Sequence, residues 1–293
     1  MSSIDEVLVA GASERRESPI VALLRSAHRD PLTFVAFAIL ALSLLAAILA
    51  PWLAPQSPTL AAPVDRMEPL WTAGHVLGTD QLGRDMLSRM LYGARLAWIV
   101  GTLSAAFALV FGGVLGALAG YFGGWLDGFI SRSVDGVMAF PPVLLALIIA
   151  AILGPSTGTG IVALAVVFTP LMARVMRGEV LARRDLEYVA ASRNLGKPEP
   201  LILLQDIVPN TMSAMSVTAV IVFSRAIVIE ASLSFLGVGT QPPAANWGVM
   251  IAEARDVITI SPRLWLLPGI GLALTVLAAN ISAEVLGRQN GAR

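Results

Sequence analysis

Long uncharged apolar runs, separated by short polar segments, dominate the hydropathy pattern of this chain. A helix that crosses a bilayer needs about 20 predominantly apolar residues. The pattern predicts six such helices, at residues 32–53, 96–126, 137–153, 161–180, 211–229 and 264–283. The third and fourth helices are expected to form a hairpin, because residues 154–160 contain a proline, three glycines and three hydroxyl side chains, which favour a turn.

The polar segments divide the chain around these runs. Residues 1–31 form an N-terminal segment in which apolar positions near residues 20–27 predict an interfacial helix, with a disordered tail as the alternative. Residues 54–95 are expected to be an external loop, 96–286 a core with five spans, and 287–293 a cytoplasmic tail. Residues 231–252 are uncharged but interrupted by glycines and prolines, which predicts a re-entrant or surface segment.

Composition supports the membrane assignment. The chain has 293 residues, of which 56% are hydrophobic and only 14% charged, whereas soluble domains carry roughly a quarter charged residues. Its formal net charge is zero, which argues against a nucleic-acid partner. With no cysteine and only two histidines, thiol chemistry and a His-rich metal site are excluded. No phosphate-binding Walker A motif is present, so no catalytic residue, metal or cofactor is expected here.

Basic residues predict the orientation. Cytoplasmic segments of membrane proteins carry an excess of Lys and Arg. If the N-terminus is inside, six spans place 13 of the 20 basic residues inside and six outside, with Arg225 within the fifth span. The sequence therefore predicts that both termini are cytoplasmic.

The predicted cytoplasmic loop at residues 182–208 contains a short helix. Asp185 is a candidate N-cap, Glu187 suits the first turn, and Gly196 followed by Pro198 ends the helix. A helix of about ten residues is marginal alone and favours a partner surface, although a simple connecting loop is the alternative. One helical face carries Tyr188, Ala191, Ser192 and Leu195.

This loop resembles the EAA loop of ABC-importer membrane subunits. That motif reads Glu-Ala-Ala, three residues, then Gly, and is followed by an apolar-Pro pair. Gly196 and Pro209 match it, whereas Ala190 stands in the position of the glutamate and Ser192 in that of the second alanine.

Two further segments resemble the dipeptide/oligopeptide/nickel permease family, in particular its second (C-type) membrane subunit. One is the external motif at residues 77–85, with Gly78, Asp80, Gly83, Arg84 and Asp85, together with residues 88–89 (Ser-Arg) and 92–95 (Tyr-Gly-Ala-Arg). The other comprises residues 230–239 and 246–248. The likeness extends from about residue 20 to residue 282.

The resemblance implies an all-α, six-span type I ABC-importer domain in a bacterial plasma (inner) membrane. The expected partners are a homologous permease subunit, two cytoplasmic ATPases that bind ATP and Mg, and an external solute-binding protein. The chain itself would be non-catalytic. Peptides are the expected cargo, with nickel chelates or other small solutes as the alternative. For the mechanism, the less favoured alternative is a secondary transporter that works without ATPase subunits. The residues expected to contact an ATPase are Glu187, Tyr188, Ala190, Ala191, Ser192, Leu195, Gly196 and Pro209.

Three other sets of residues are candidates for packing or transport. Glycines recur every four residues at Gly112, Gly116, Gly120, Gly124 and Gly128, which favours close helix packing, above all at the first three, with a substrate-lining role as the alternative. Arg225 and Glu230 are expected to line the translocation path or to pair structurally with other spans or the sister subunit. Asp80 and Arg84 would form an exposed helical ion pair, or help to cap the second span or contact a partner.

Overall fold

The computed structural model describes residues 31–291, and within this range the chain is helical with no β-strand. The helices are α1 (Pro31–Leu53), α2 (Met86–Phe122), α3 (Gly124–Met138), α4 (Pro142–Leu153), α5 (Thr157–Arg183), α6 (Glu187–Asn194), α7 (Glu199–Ile202), α8 (Val208–Phe235), α9 (Trp247–Glu253) and α10 (Arg263–Gly291). A π-helical turn, Leu203–Ile207, joins α7 to α8. The predicted interfacial helix before residue 31 lies outside the described residues.

Among the described residues, five stretches of helix are long and apolar enough to cross a membrane, namely α1, α2, α5, the continuous stretch Glu199–Phe235 and α10. The pair formed by α3 and α4 is bent by 90° and makes a sixth candidate if it counts as one span. The predicted all-α membrane fold is therefore confirmed.

The second span differs from its predicted bounds at both ends. Helix α2 begins at Met86 rather than near residue 96, so the external loop ends at Asp85 and not at residue 95. Asp85 caps the helix by accepting a hydrogen bond from the backbone N–H of Ser88. The helix ends at Phe122, because Gly123 has a φ of +65° that side-chain-bearing residues rarely adopt.

The predicted hairpin and the last two spans also need correction. Instead of one helix at 137–153, the chain turns between Met138 and Pro142. Helix α5 starts at Thr157, inside the predicted turn, because the Ser156 hydroxyl caps it. Helix α8 extends beyond residues 211–229 at both ends, and α10 continues to Gly291, so residues 287–291 prolong the last span instead of forming a separate tail.

The core lies where α2, α5, α8 and α10 meet, and α1 packs on the outside of α2 and α10. Small residues of α1, such as Ala36, Ala47 and Ala50, are buried against the bundle, whereas large ones such as Leu42 and Ile48 are exposed. This arrangement is typical of membrane helices, whose close contacts use small residues and whose large apolar side chains face lipid.

The segment at residues 231–252 lies on the surface only in its middle part, around residues 235–237 and 242–243, and is otherwise largely buried. Its first five residues complete α8, and its end forms most of α9, which is buried among α2, α8 and α10. The Trp247 indole lies against Gly93 of α2 and Gly271 of α10, and Gly248 meets the backbone of Ala231. We call α9 the wedge helix, because it fills the space between three spans.

Candidate coupling loop and external polar clusters

The short helix predicted in the 182–208 loop exists as α6, with eight residues. Its cap differs from the prediction, because Leu186 occupies the N-cap position and Asp185 makes no capping hydrogen bond. Val189 is fully buried and anchors the helix to the rest of the subunit. Gly196 has a φ of +78°, so the chain turns there through the left-handed region that glycine adopts readily.

The outer face of α6 is uncovered. Leu195 is 88% exposed, and Tyr188 is also exposed. Glu187, Ala190 and Ala191 are exposed as well, and Ser192 is half-buried. Since large apolar side chains gain free energy when they leave water, this surface is suited to contact with another protein.

Ion pairs attach the loop to the bundle. Arg193 Nε donates to Glu199 Oε1 at 2.8 Å, and Glu199 also accepts a hydrogen bond from the Tyr121 hydroxyl at the end of α2. Lys197 Nζ lies 2.7 Å from Asp206 Oδ1. The hydrogen bond to Glu199 raises the pKa of Arg193 above its ordinary value, so its charge is permanent. Pro209, the second residue of α8, follows these contacts.

The glycine stripe lies at the seam between α2 and α5. A side chain on Gly112 would meet Met172 and the Thr169 carbonyl, and one on Gly116 would meet the Ala173 carbonyl. Gly120 lies against Val180. The three glycines therefore allow the two helices to approach closely, whereas Gly124 and Gly128 lie beyond α2 in α3 and meet no atom within 4 Å.

A charged cluster, formed by the buried Asp80, Arg84 and Arg89 and the half-buried Glu253, joins the loop before α2 to the wedge helix. Arg84 Nε donates to Asp80 Oδ2 at 2.6 Å and Nη2 donates to Glu253 Oε2 at 2.8 Å. Arg89 bridges the same two carboxylates and is 1% exposed. The predicted exposed helical ion pair is thus wrong: Asp80 and Arg84 are buried, and they precede the helix.

Asp80 also organises the loop backbone, since its Oδ1 accepts hydrogen bonds from the N–H groups of Leu82 and Arg84. Burial alone would raise the pKa of Asp80, but the Arg89 charge, the backbone hydrogen bonds and the Arg84 charge outweigh it and lower that pKa below its ordinary value. The carboxylate is therefore held in its charged form.

The remaining external-motif residues shape the same region. Asp85 accepts the Ser88 N–H and lies 2.9 Å from His75 Nδ1. Gly78 and Gly83 both have positive φ, and a side chain on Gly83 would collide with the Ala62 carbonyl. The motif is therefore a tightly folded cap before α2.

Glu230 is 3% exposed and lies in a second polar cluster. Its carboxylate accepts hydrogen bonds from Ser234 (2.7 Å), Thr240 (2.9 Å) and Asn246 Nδ2 (2.7 Å). It does not pair with Arg225, as expected from their spacing, and its partners lie on its own helix end and the following segment. The geometry is that of a structural pairing and not of a residue that lines an open path.

Arg225, in contrast, is exposed on α8. Within residues 31–291 it makes no hydrogen bond or ion pair. It borders an open groove between α8 and α10, together with Asn280 and Glu284. A charged side chain within an apolar span is costly unless protein or water covers it, so this groove faces something other than lipid.

Sequence reasoning predicted no contact for several of these residues, although Arg89 and Asn246 lie in the two segments that carry the family resemblance. Arg89, Glu253, Thr240 and Asn246 each make buried polar contacts with residues distant in the chain. Only Asn246 had a local signal, because Asn before an apolar run is a common helix N-cap, and here its Oδ1 accepts from Gly248 and Val249. The others depend on tertiary contacts that no local pattern contains.

The described chain is thus a bundle of membrane-length helices with a buried polar cap before α2 and an exposed loop helix. Residues 112–293 match the family described as binding-protein-dependent transport system inner membrane component. The chain belongs to this family, and it is a multi-pass inner-membrane permease subunit of an ABC transporter. The predicted family and location are thereby confirmed.

Individual relatives cover nearly the full chain. It is 38% identical over 269 residues to the dipeptide transport system permease protein DppC of Alkalihalophilus pseudofirmus, covering 92% of this chain and 88% of that one. It is 36% identical over 270 residues to a putative peptide transport system permease protein of Brucella abortus, with 92% and 90% covered. It is 37% identical over 262 residues to the glutathione transport system permease protein GsiD of Salmonella typhimurium, with 89% and 86% covered.

Proposed function

We propose that this chain forms half of the translocation path of an ATP-driven importer of peptides. The relatives named above support a peptide-class cargo, since two are named for dipeptide or peptide transport and one for glutathione, itself a small peptide. A homologous permease subunit completes the path, and an external solute-binding protein delivers the cargo.

The exposed helix α6 carries this proposal. It projects from the bundle between α5 and α7, with Tyr188 and Leu195 uncovered, and a single buried side chain, Val189, anchors it. A cytoplasmic ATPase binds this face, so that closure of two ATPases around nucleotide displaces α6 and tilts the spans. Such a switch requires the contacts on α6 to differ in the two states.

ATP and Mg bind to the partner ATPases, and this chain holds no cofactor and acts on no nucleic acid. Both termini and α6 lie on the cytoplasmic side, which leaves the Asp80 and Glu230 clusters on the external side. The bias of basic residues supports this orientation.

Arg225 is the residue proposed to line the path, because it is exposed and unpaired on α8 within residues 31–291 and borders a groove. We expect Arg225→Gln to lower uptake without reducing the yield of the assembled complex. If that variant lowers the yield instead, Arg225 belongs to the interface with the sister subunit.

The function is tested by reconstituting the complete complex into proteoliposomes and measuring uptake of labelled dipeptide. We expect uptake to require ATP, the ATPases and the binding protein. Uptake by this chain and its sister without nucleotide would overturn the proposal in favour of secondary transport.

The loop is tested by Gly196→Trp, with Gly196→Asn as the matched control, because asparagine tolerates positive φ better than bulky residues. We expect the tryptophan variant to assemble but to lose ATP-driven uptake and binding-protein-stimulated ATPase activity. The asparagine variant should keep most of both. Wild-type ATPase stimulation in Gly196→Trp would contradict the coupling role.

A further inference from the structure

Every hydrogen-bond partner that Glu230 has within residues 31–291 is a donor. Ser234 and Thr240 donate their hydroxyl hydrogens to Oε1, and the Asn246 amide donates to Oε2. The orientation of the Asn246 side chain is fixed, because its Oδ1 accepts from the backbone N–H groups of Gly248 and Val249. The oxygen that faces Asn246 must therefore be an acceptor, and a carboxylate, unlike a carboxamide, also accepts from the Ser234 and Thr240 hydroxyls without any change of their donor roles.

The Glu230 cluster also reaches α5. The Thr240 and Thr157 hydroxyls lie 3.0 Å apart, and since Thr240 donates to Glu230, Thr157 donates to Thr240. Thr157 is the first residue of α5, and Glu230 is near the end of α8. The chain between these two helices is the coupling loop, so the cluster closes the open end of the hairpin that α5 and α8 form.

The same cluster holds the start of the wedge helix. Asn246 is both a partner of Glu230 and the N-cap of α9. At the other end of the wedge helix, Glu253 binds Arg84 and Arg89. The wedge helix is thus fixed at both ends by buried polar groups.

We propose that Glu230 is a positioning residue that ties the external ends of α5 and α8 to the wedge helix, so that motion of the coupling loop reaches the external end of the path. This role rests on the proposed function. It replaces the idea that Glu230 contacts cargo, since its oxygens are occupied by Ser234, Thr240 and Asn246. Loss of the tie uncouples ATP hydrolysis from uptake.

The donor and acceptor arrangement provides a decisive test. In E230Q, an amide group replaces one acceptor, so either Asn246 faces another donor or the Ser234 and Thr240 hydroxyls must reverse their donor roles. In N246D, two carboxylates face each other, although a carboxylate still caps the wedge helix. In the double variant E230Q/N246D, the glutamine introduced at position 230 donates to the new carboxylate and still accepts from Ser234 and Thr240, so complementarity returns.

The experiment measures dipeptide taken up per ATP hydrolysed by the reconstituted complex. An unmatched buried polar group is costly, so we expect each single variant to lower this ratio about tenfold and the double variant to restore it within about twofold of wild type. Melting temperature and yield of the complex are measured in parallel. A purely structural role would lower yield and activity together and leave the ratio unchanged, which would overturn the proposal.

A second pair of variants tests the tie to α5 if the Glu230 variants assemble poorly. T157V removes the hydroxyl at a half-buried position, and T157S keeps it. We expect T157V to lower the uptake-to-ATP ratio and T157S to retain it; equal ratios would overturn the proposal. Wild-type uptake without ATP would instead refute the proposed function, so the two failures are distinguishable.

Discussion

The two ends of this subunit use charged side chains in opposite ways. At the external end, Arg89 and Asp80 are 1% and 6% exposed. At the coupling loop, the side chains of Arg193 and Glu199 are 48% and 45% exposed and pair in contact with solvent. Both ends contain ion pairs, but only the pairs of Asp80 with Arg84 and Arg89 have both side chains almost fully withdrawn from water.

This difference separates a fixed end from one that needs a partner. Exposed ion pairs contribute little to stability because water and salt screen them. Breaking a buried pair is costly, since it leaves an uncompensated charge. The external cap is therefore held by the subunit itself, whereas α6 has one buried anchor, Val189, and an uncovered face that fits a second protein.

The largest effect is expected at Arg89. Arg89→Met leaves Asp80 and Glu253 with Arg84 alone, so we expect the free energy of unfolding in detergent to fall by about 3 kcal/mol or more. Arg89→Lys keeps the positive charge, so its free energy of unfolding should fall by less. Chemical denaturation of the purified subunit measures both. If Arg89→Met is as stable as wild type, the buried ion pairs do not stabilise the subunit more than the exposed pairs of the loop do.

The next largest effect is expected at the α2–α5 seam, which connects the ends. A leucine at Gly116 would collide with the Ala173 backbone, so we expect Gly116→Leu to cost about 1–3 kcal/mol and to reduce the yield of assembled complex. Gly113→Leu is the matched control, because the nearest atom outside its helix is Met215 Cε at 3.9 Å. A normal yield for Gly116→Leu would show that the close approach is dispensable.

A smaller, pH-dependent effect is expected at Asp80. Its pKa is lower in the folded protein than the value of about 3.9 expected when unfolded. Its contribution to stability is therefore present above that value and is lost as the pH falls through it toward the folded pKa. Denaturation curves should show an acid-induced loss of stability below about pH 4 that is reduced in Asp80→Asn but not in the exposed control Asp256→Asn.

The smallest effect on stability is expected at the coupling loop. Arg193→Ala and Glu199→Gln should leave the melting temperature of the subunit nearly unchanged, because both side chains are about half exposed. Thermal unfolding by circular dichroism is the measurement. A fall as large as that in Arg89→Met would mean that the loop, too, is fixed by its own charges.

The spans were predictable because each is a long apolar run, and the lipid environment requires such runs to be helical. Helix boundaries were less predictable. Arg89 and Arg95 suggested that α2 starts after them, yet Arg89 lies inside the helix because distant carboxylates neutralise it. A charged residue in the sequence marks the end of a membrane helix only where no distant residue neutralises the charge and so removes the cost of burying it.

The candidate site was also predictable only in its local features. The short helix and the left-handed Gly196 followed from local patterns of caps and turns. The environment of Glu230 did not, because Thr157 is 83 residues from Thr240 and Asn246 is 16 from Glu230. From its position in the sequence, Glu230 was a candidate for the translocation path. Its hydrogen-bond partners show instead that it belongs to a buried polar cluster.

The continuous helical stretch from Glu199 to Phe235 has 37 residues, a length of about 55 Å at 1.5 Å per residue. The hydrocarbon interior of a bilayer is about 30 Å thick. Roughly 25 Å of this rod therefore stands outside the acyl chains. If the proposed ATPase contacts the loop at the Glu199 end, its force therefore acts on a helix that continues without interruption into the membrane.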